Sequence, residues 1–172
     1  TSLAVNAVGR EENGKIRRAD DIKKWLLAQQ FGERHVFMNA DPGGWGWTDQ
    51  PGCVPDADDT SGVLLALKRL GGLDDKSVAA GLRGVKWLLD IQNSDGGIPT
   101  FCKGWGKLPF DRSCPDITAH ALRALDAWYD QVGPDLRSKV DVFIEKGFRY
   151  LCNVQQHDGR WIPLWFGNQK TP

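Results

Sequence analysis

Asp56, Asp58 and Asp59 place three carboxylates within four residues, in the run Pro55-Asp56-Ala57-Asp58-Asp59-Thr60. Like charges at that density cannot all ionise comfortably, so crowding and burial keep a proton on one of them. The dipole of the helix that begins there pulls the other way. A protonated carboxyl facing an apolar cavity is a strong Brønsted acid. The plainer reading is that all three are caps and first-turn charges. Their density beside a Trp- and Gly-rich loop favours the acid.

His120 lies four residues after Asp116, so both occupy one helix face. A cationic imidazole hydrogen-bonded to an Asp of the triplet sharpens its acidity. The plainer reading is a satisfied core histidine. Trp45, Trp47, Phe101, Trp105, Trp161 and Trp165 all fall in loops at helix ends. Ring faces stabilise a nearby cation by about 0.5–2 kcal/mol each. Packing is the plainer role, and for Trp161 it is preferred. A strong acid, π faces and few bases suit one chemistry: protonating an alkene and managing the carbocation.

The elements that position these groups read as helices. Ile22, Trp25 and Leu26 keep helical spacing between Arg17 and Gln30. Pro42, Gly43, Gly44, Gly46, Pro51, Gly52 and Pro55 break the chain before the acidic run. A second helix is predicted from Asp58 or Asp59 to Leu70, stopped by Gly71-Gly72. A third follows the Asp74-Asp75 cap to near Gln92. A fourth starts at Asp116 and passes Trp128, and a fifth runs from about Ser138 to Val154. No segment alternates with period two, so the fold class is all-α. Residues 1–15 are expected as a loose lead-in.

The chain also repeats itself. Trp25-Leu26-Leu27 with Gln29, Trp87-Leu88-Leu89 with Gln92, and Tyr150-Leu151-Cys152 with Gln155 form one series. The run from Asp58 to Leu67 aligns with that from Asp116 to Leu125, matching Asp, Thr, Leu, Ala and Leu in place. Units of about 60 residues, each a helix pair, are the mark of stacked α-hairpins. The predicted architecture is a partial α-α toroid, with the helices at Asp58 and Asp116 in its inner layer. Their tips then face one end, placing Asp58 near the Asp116–His120 pair.

Bulk properties narrow the field. The 172 residues carry 22 basic and 22 acidic side chains, so nothing suggests a nucleic-acid footprint. Mean hydropathy is −0.42, and no apolar run is long enough to span a bilayer. Cys53, Cys102, Cys114 and Cys152 stand singly, as reduced structural thiols do. No signal peptide is visible, and the Thr-Ser-Leu start is expected of a piece of a longer chain.

From about Trp25 to Gln169 the chain resembles the squalene-hopene cyclases and related class II terpene cyclases. Pro42-Gly43-Gly44-Trp45 followed by the acidic run is similar to that family's GGW loop and DxDD motif. Asp116-Ile117-Thr118-Ala119-His120 resembles its DxTAH stretch, and Gln155, Asp158, Gly159 and Trp161 its QxxDGxW repeat. The resemblance implies that Asp58 donates the proton, that Asp56 and Asp59 flank it, and that His120 hydrogen-bonds it with Asp116 behind. It makes Trp47, Phe101 and Trp165 cation-facing aromatics and the QxxDGxW residues ties between helix ends. It implies a squalene-like polyprenyl substrate and no cofactor or metal. It also implies a cytoplasmic protein whose full-length form touches the membrane peripherally.

The chain departs from the pattern at Ile98, where Trp is expected, and at Pro51-Gly52-Cys53. The family's enzymes are several times longer, so this chain is expected to be one partial domain, completed by the rest of its parent. Two other readings compete. One is a non-catalytic toroid module that binds an apolar or protein ligand. The other is a zinc-dependent, prenyltransferase-like toroid using Cys114, Asp116 and His120 as ligands.

Overall fold

The protein is described by a computed structural model over residues 1–8, 16–104 and 109–164. The helices are α1 (Ser2–Val8), α2 (Ala19–Ala28), α3 (Ala57–Leu70), α4 (Asp75–Ile91), α5 (Pro115–Trp128) and α6 (Pro134–Val154). The all-α expectation holds. One short antiparallel pair joins β1 (Ile98–Pro99) to β2 (Ser113–Cys114), with Ile98 opposite Cys114.

Local chemistry sets the helix ends. Asp56 caps α3 by accepting the Asp59 N–H at 2.7 Å, and Asp74 caps α4 by accepting that of Ser77 at 2.9 Å. Lys68 and Arg69 close α3 where its dipole is negative, and Gly71 follows at φ 65°. Helix α6 starts at Pro134, four residues before the expected Ser138, because proline suits the first helical turn.

Helix α3 is the centre of the molecule. Every residue from Thr60 to Leu67 is buried, since α1 and α5 flank it and α2 and α4 pack behind it. Helix α6 buries only a stripe of Val140, Phe143, Gly147 and Tyr150, as a one-sided outer helix does. Residues 2–8 correct the expectation of a loose lead-in. They form α1, with Val5 buried and Asn6 Nδ2 donating to the Gly62 carbonyl at 2.9 Å. Gly62 has no side chain to hold α1 off.

The repeat is built into hydrogen bonds. Gln30, Gln92 and Gln155 each donate through Nε2 to the carbonyl of a positive-φ glycine: Gly43, Gly96 and Gly159. The same amides of Gln30 and Gln92 also reach Ala80 of α4 and Phe143 of α6. Each therefore ties one hairpin to the next. The first member is Gln30, not Gln29, because Gln30 keeps the five-residue spacing from Trp25 that Gln92 keeps from Trp87. Trp45 and Trp161 add indole N–H bonds to Leu26 and Leu151 carbonyls, both 2.8 Å.

Trp128 locks the layers together. It is fully buried, donates to the Leu64 carbonyl at 2.8 Å, and lies over Gly81. A Cβ on Gly81 would meet its ring at 2.0 Å. Gly81→Ala is expected to destabilise by about 1–3 kcal/mol in urea denaturation. Gly32→Ala, which meets nothing within 4 Å, is the matched control and should stay within about 0.5 kcal/mol.

Candidate active site

Two inner-helix tips make the site, and each is clamped the same way. At α3, the Asp56 N–H donates to the Trp45 carbonyl, and the Trp45 N–H donates to Thr60 Oγ1, both 2.9 Å. At α5, Ile98 pairs with Cys114, and the Ile98 N–H donates to Thr118 Oγ1 at 2.9 Å. Asp56 and Cys114 are thus equivalent positions, as are Asp58 and Asp116, each pair 58 residues apart. Thr60 and Thr118 were legible only as matching letters; their role is to hold the loop that precedes each tip. The Phe101 loop joins the same end, its carbonyl accepting the Ala57 N–H at 3.2 Å.

These tips open into a cavity of about 640 Å³. Asp56, Asp58, Asp59, Asp116 and His120 line it with Trp47 and Phe101, whose rings meet edge to face at 6.3 Å. Leu65, Ile117 and the α1 residues Leu3 and Ala7 supply apolar wall. The α1 contribution has no signal in the sequence pattern. Trp165 and Trp105 lie outside the described residues. Trp161 lies against the outer-helix end, on Leu151.

The expected pairing across the tips is present. His120 Nδ1 stands 2.6 Å from Asp58 Oδ1, linking α5 to α3. The Asp58 side chain is 54% exposed and that of His120 19%. Asp116 stands one turn before His120 on α5, and its Oδ1 accepts the Cys114 thiol. The α5 start explains this, because Cys114 occupies the cap position beside the first-turn carboxylate. Among the described residues no three His, Cys, Asp or Glu side chains converge as a metal site. The proposed zinc set is already committed, Cys114 to Asp116 and His120 to Asp58.

Electrostatics divide the triplet. Asp56 is buried, and burial, reinforced by the Asp59 charge, pushes its carboxyl up to about 9. Its Oδ2 is enclosed and accepts nothing. A proton there satisfies it by donating to the Asp59 carboxylate. Asp59 is also raised, by burial first and by the Asp58 charge. Asp56 and Asp59 therefore form a pair that holds one proton at neutral pH.

That proton has a thermodynamic signature. A carboxyl raised in the folded state binds more protons there than when unfolded. Stability is then fully present below about pH 4 and declines as pH rises toward about 9. Asp56→Asn keeps a neutral donor to Asp59 without the titration. Its stability should gain on the parent protein's across that window, with a slope of up to about 1.4 kcal/mol per pH unit. Parallel melting curves from pH 5 to 8 would show Asp56 ionised.

Residues 1–169 match the squalene-hopene cyclase C-terminal domain family. The chain is 34% identical over 95% of its length to sporulenol synthase of Bacillus subtilis, and covers 26% of that protein. It is 28% identical over 95% of its length to squalene-hopene cyclase of Alicyclobacillus acidocaldarius, covering 27%. It thus spans about a quarter of these relatives. A family 10 polysaccharide lyase from Cellvibrio cellulosa shares the fold with a TM-score of 0.66 at 18% identity, over 94% of this chain and 54% of the lyase. With its mostly helical fold and a match over nearly its whole length, the chain belongs to the squalene-hopene cyclase C-terminal domain family, a family of α-α toroids.

Proposed function

We propose that this chain is the acid-bearing part of a class II terpene cyclase, which starts cyclisation by protonating a squalene-like polyene. The observation that carries the reading is the bond between His120 and Asp58, made across two helix tips inside a cavity walled by Trp47 and Phe101.

His120, as imidazolium, donates Nδ1–H to Asp58 Oδ1, leaving Oδ2 to carry the reactive proton. The π electrons of the terminal alkene form a new C–H bond with that proton. The positive charge moves to the more substituted carbon, where the next double bond attacks it. The Asp58 carboxylate left behind is neutralised by the imidazolium. Asp56 and Asp59 hold one proton between them and so place a single negative charge beside Asp58. Trp47 and Phe101 face the developing cation, supported by Trp165.

In this reading the rest of the parent chain supplies the missing walls, since curated relatives are about four times longer. No helix among the described residues is long and apolar enough to cross a membrane. The apolar substrate instead reaches the full-length protein, a cytoplasmic one, by peripheral contact with a bilayer surface.

A second reading, a toroid module without catalysis, draws on the openness of the cavity at Asp58. One experiment separates them. The full-length protein is incubated with squalene and with a shorter polyprenyl hydrocarbon, and apolar products are analysed. Cyclic product should fall by about 10²–10⁴-fold in Asp58→Asn, the usual worth of a positioned proton donor. Equal product from both proteins would favour the module.

A further inference from the structure

We propose that Cys114 is a positioning residue of the acid site: its thiol fixes the Asp116 carboxylate on the cavity wall, one helical turn before His120. This rests on the acid-site reading given under Proposed function.

The first support is geometric. The Cys114 Sγ–H donates to Asp116 Oδ1, and both residues line the cavity that holds Asp58 and His120. Cys114 is 2% exposed, so the thiol itself is shielded from water, which reaches the contact only from the exposed Asp116 side. The second support is the repeat. Cys114 occupies in α5 the cap position that Asp56 occupies in α3, opposite the matching loop residue in each case: Ile98 for Cys114 and Trp45 for Asp56. Asp56 carries a proton and gives it to a neighbouring carboxylate. Cys114 does the same with a thiol. Burial and the Asp116 contact push that thiol up to about 12, so it remains a donor throughout the neutral range.

The consequence concerns the imidazole. Asp116 and His120 share one face of α5, one turn apart. A carboxylate fixed there presents its oxygens to the cavity one turn before the imidazole that bonds Asp58. Without the thiol, Asp116 has no side-chain donor among the described residues and is free to rotate. Serine in place of cysteine keeps a donor of similar reach; alanine removes it.

Two measurements on the full-length protein test this. The first needs no activity. The S–H stretching band of Cys114, isolated as the infrared difference between the parent protein and Cys114→Ser, should lie below that of a solvated thiol. It should move up in Asp116→Asn. A band at the free-thiol position, or one indifferent to Asp116→Asn, overturns the proposal. The second is kinetic. Cys114→Ala should lower kcat by about tenfold with KM little changed, and Cys114→Ser should restore it to within about threefold. Equal losses in the two variants would mean that the site needs the sulfur's volume and not its donor, which also overturns the proposal. A parent protein that forms no cyclic product defeats the cyclase reading instead, while the infrared band still decides the contact.

Discussion

A carboxyl buried at the start of a helix is pulled in opposite directions, and the site depends on which pull wins at Asp56. The dipole and the Asp59 N–H favour the charged form. Removal from water and the charge of Asp59 favour the neutral one, and they prevail. The outcome follows from packing around the tip. Trp45, 1% exposed, bonds the Asp56 backbone on one side and Thr60 on the other, where Asp56 itself is only 3% exposed. The same residue anchors α2 through its indole N–H. One tryptophan thus joins the outer layer to the electrostatics of the inner one.

The repeat extends that constraint from one tip to two. Glutamine amides at Gln30 and Gln92 each take the carbonyl of their own turn and that of the next outer helix. Successive hairpins are then held in register. Register is what the acid requires, because Asp58 and His120 stand 62 residues apart and still meet at 2.6 Å. Trp128, seated on Gly81 and bonded to Leu64, sets the separation between α3 and α5. A shift at that contact would be transmitted directly to the two tips.

Much of this was readable from the sequence, for physical reasons that differ by residue. Helices α3 and α4 were legible because Asp56 and Asp74 are cap residues and Gly71-Gly72 a stop. The meeting of Asp58 with His120 was legible because a repeat places equivalent positions at one end. The α1 helix was not, since a seven-residue helix is marginal by itself and exists through its seat on Gly62. The orientation of Asp116 was not, because spacing fixes a helix face but not the rotamer that turns a carboxylate toward Cys114. Gln30 was missed in favour of its neighbour Gln29, although constant spacing from Trp25 identifies it. The exposure of Asp58 depends on which walls surround the tip, and these lie partly beyond local pattern.

That exposure defines what this chain does and does not provide. It carries the acid, its imidazole partner and two ring faces on rigid helix tips and the loops clamped to them. The described residues do not enclose them: Trp47 is 55% exposed and Asp58 54%. Enclosure is where the energetic difference lies, since a cation over an aromatic face gains about 0.5–1 kcal/mol when solvated and about 2 when dry. Coulombic interactions between the acid and its neighbours strengthen in the same way as water is excluded. Geometry is therefore fixed locally by the repeat, whereas the strength of each interaction is set by whatever covers the open side of the cavity. A folded array of these helices can hold Asp58 and His120 in place and still lack the dry surroundings in which a carbocation outlives its encounter with water.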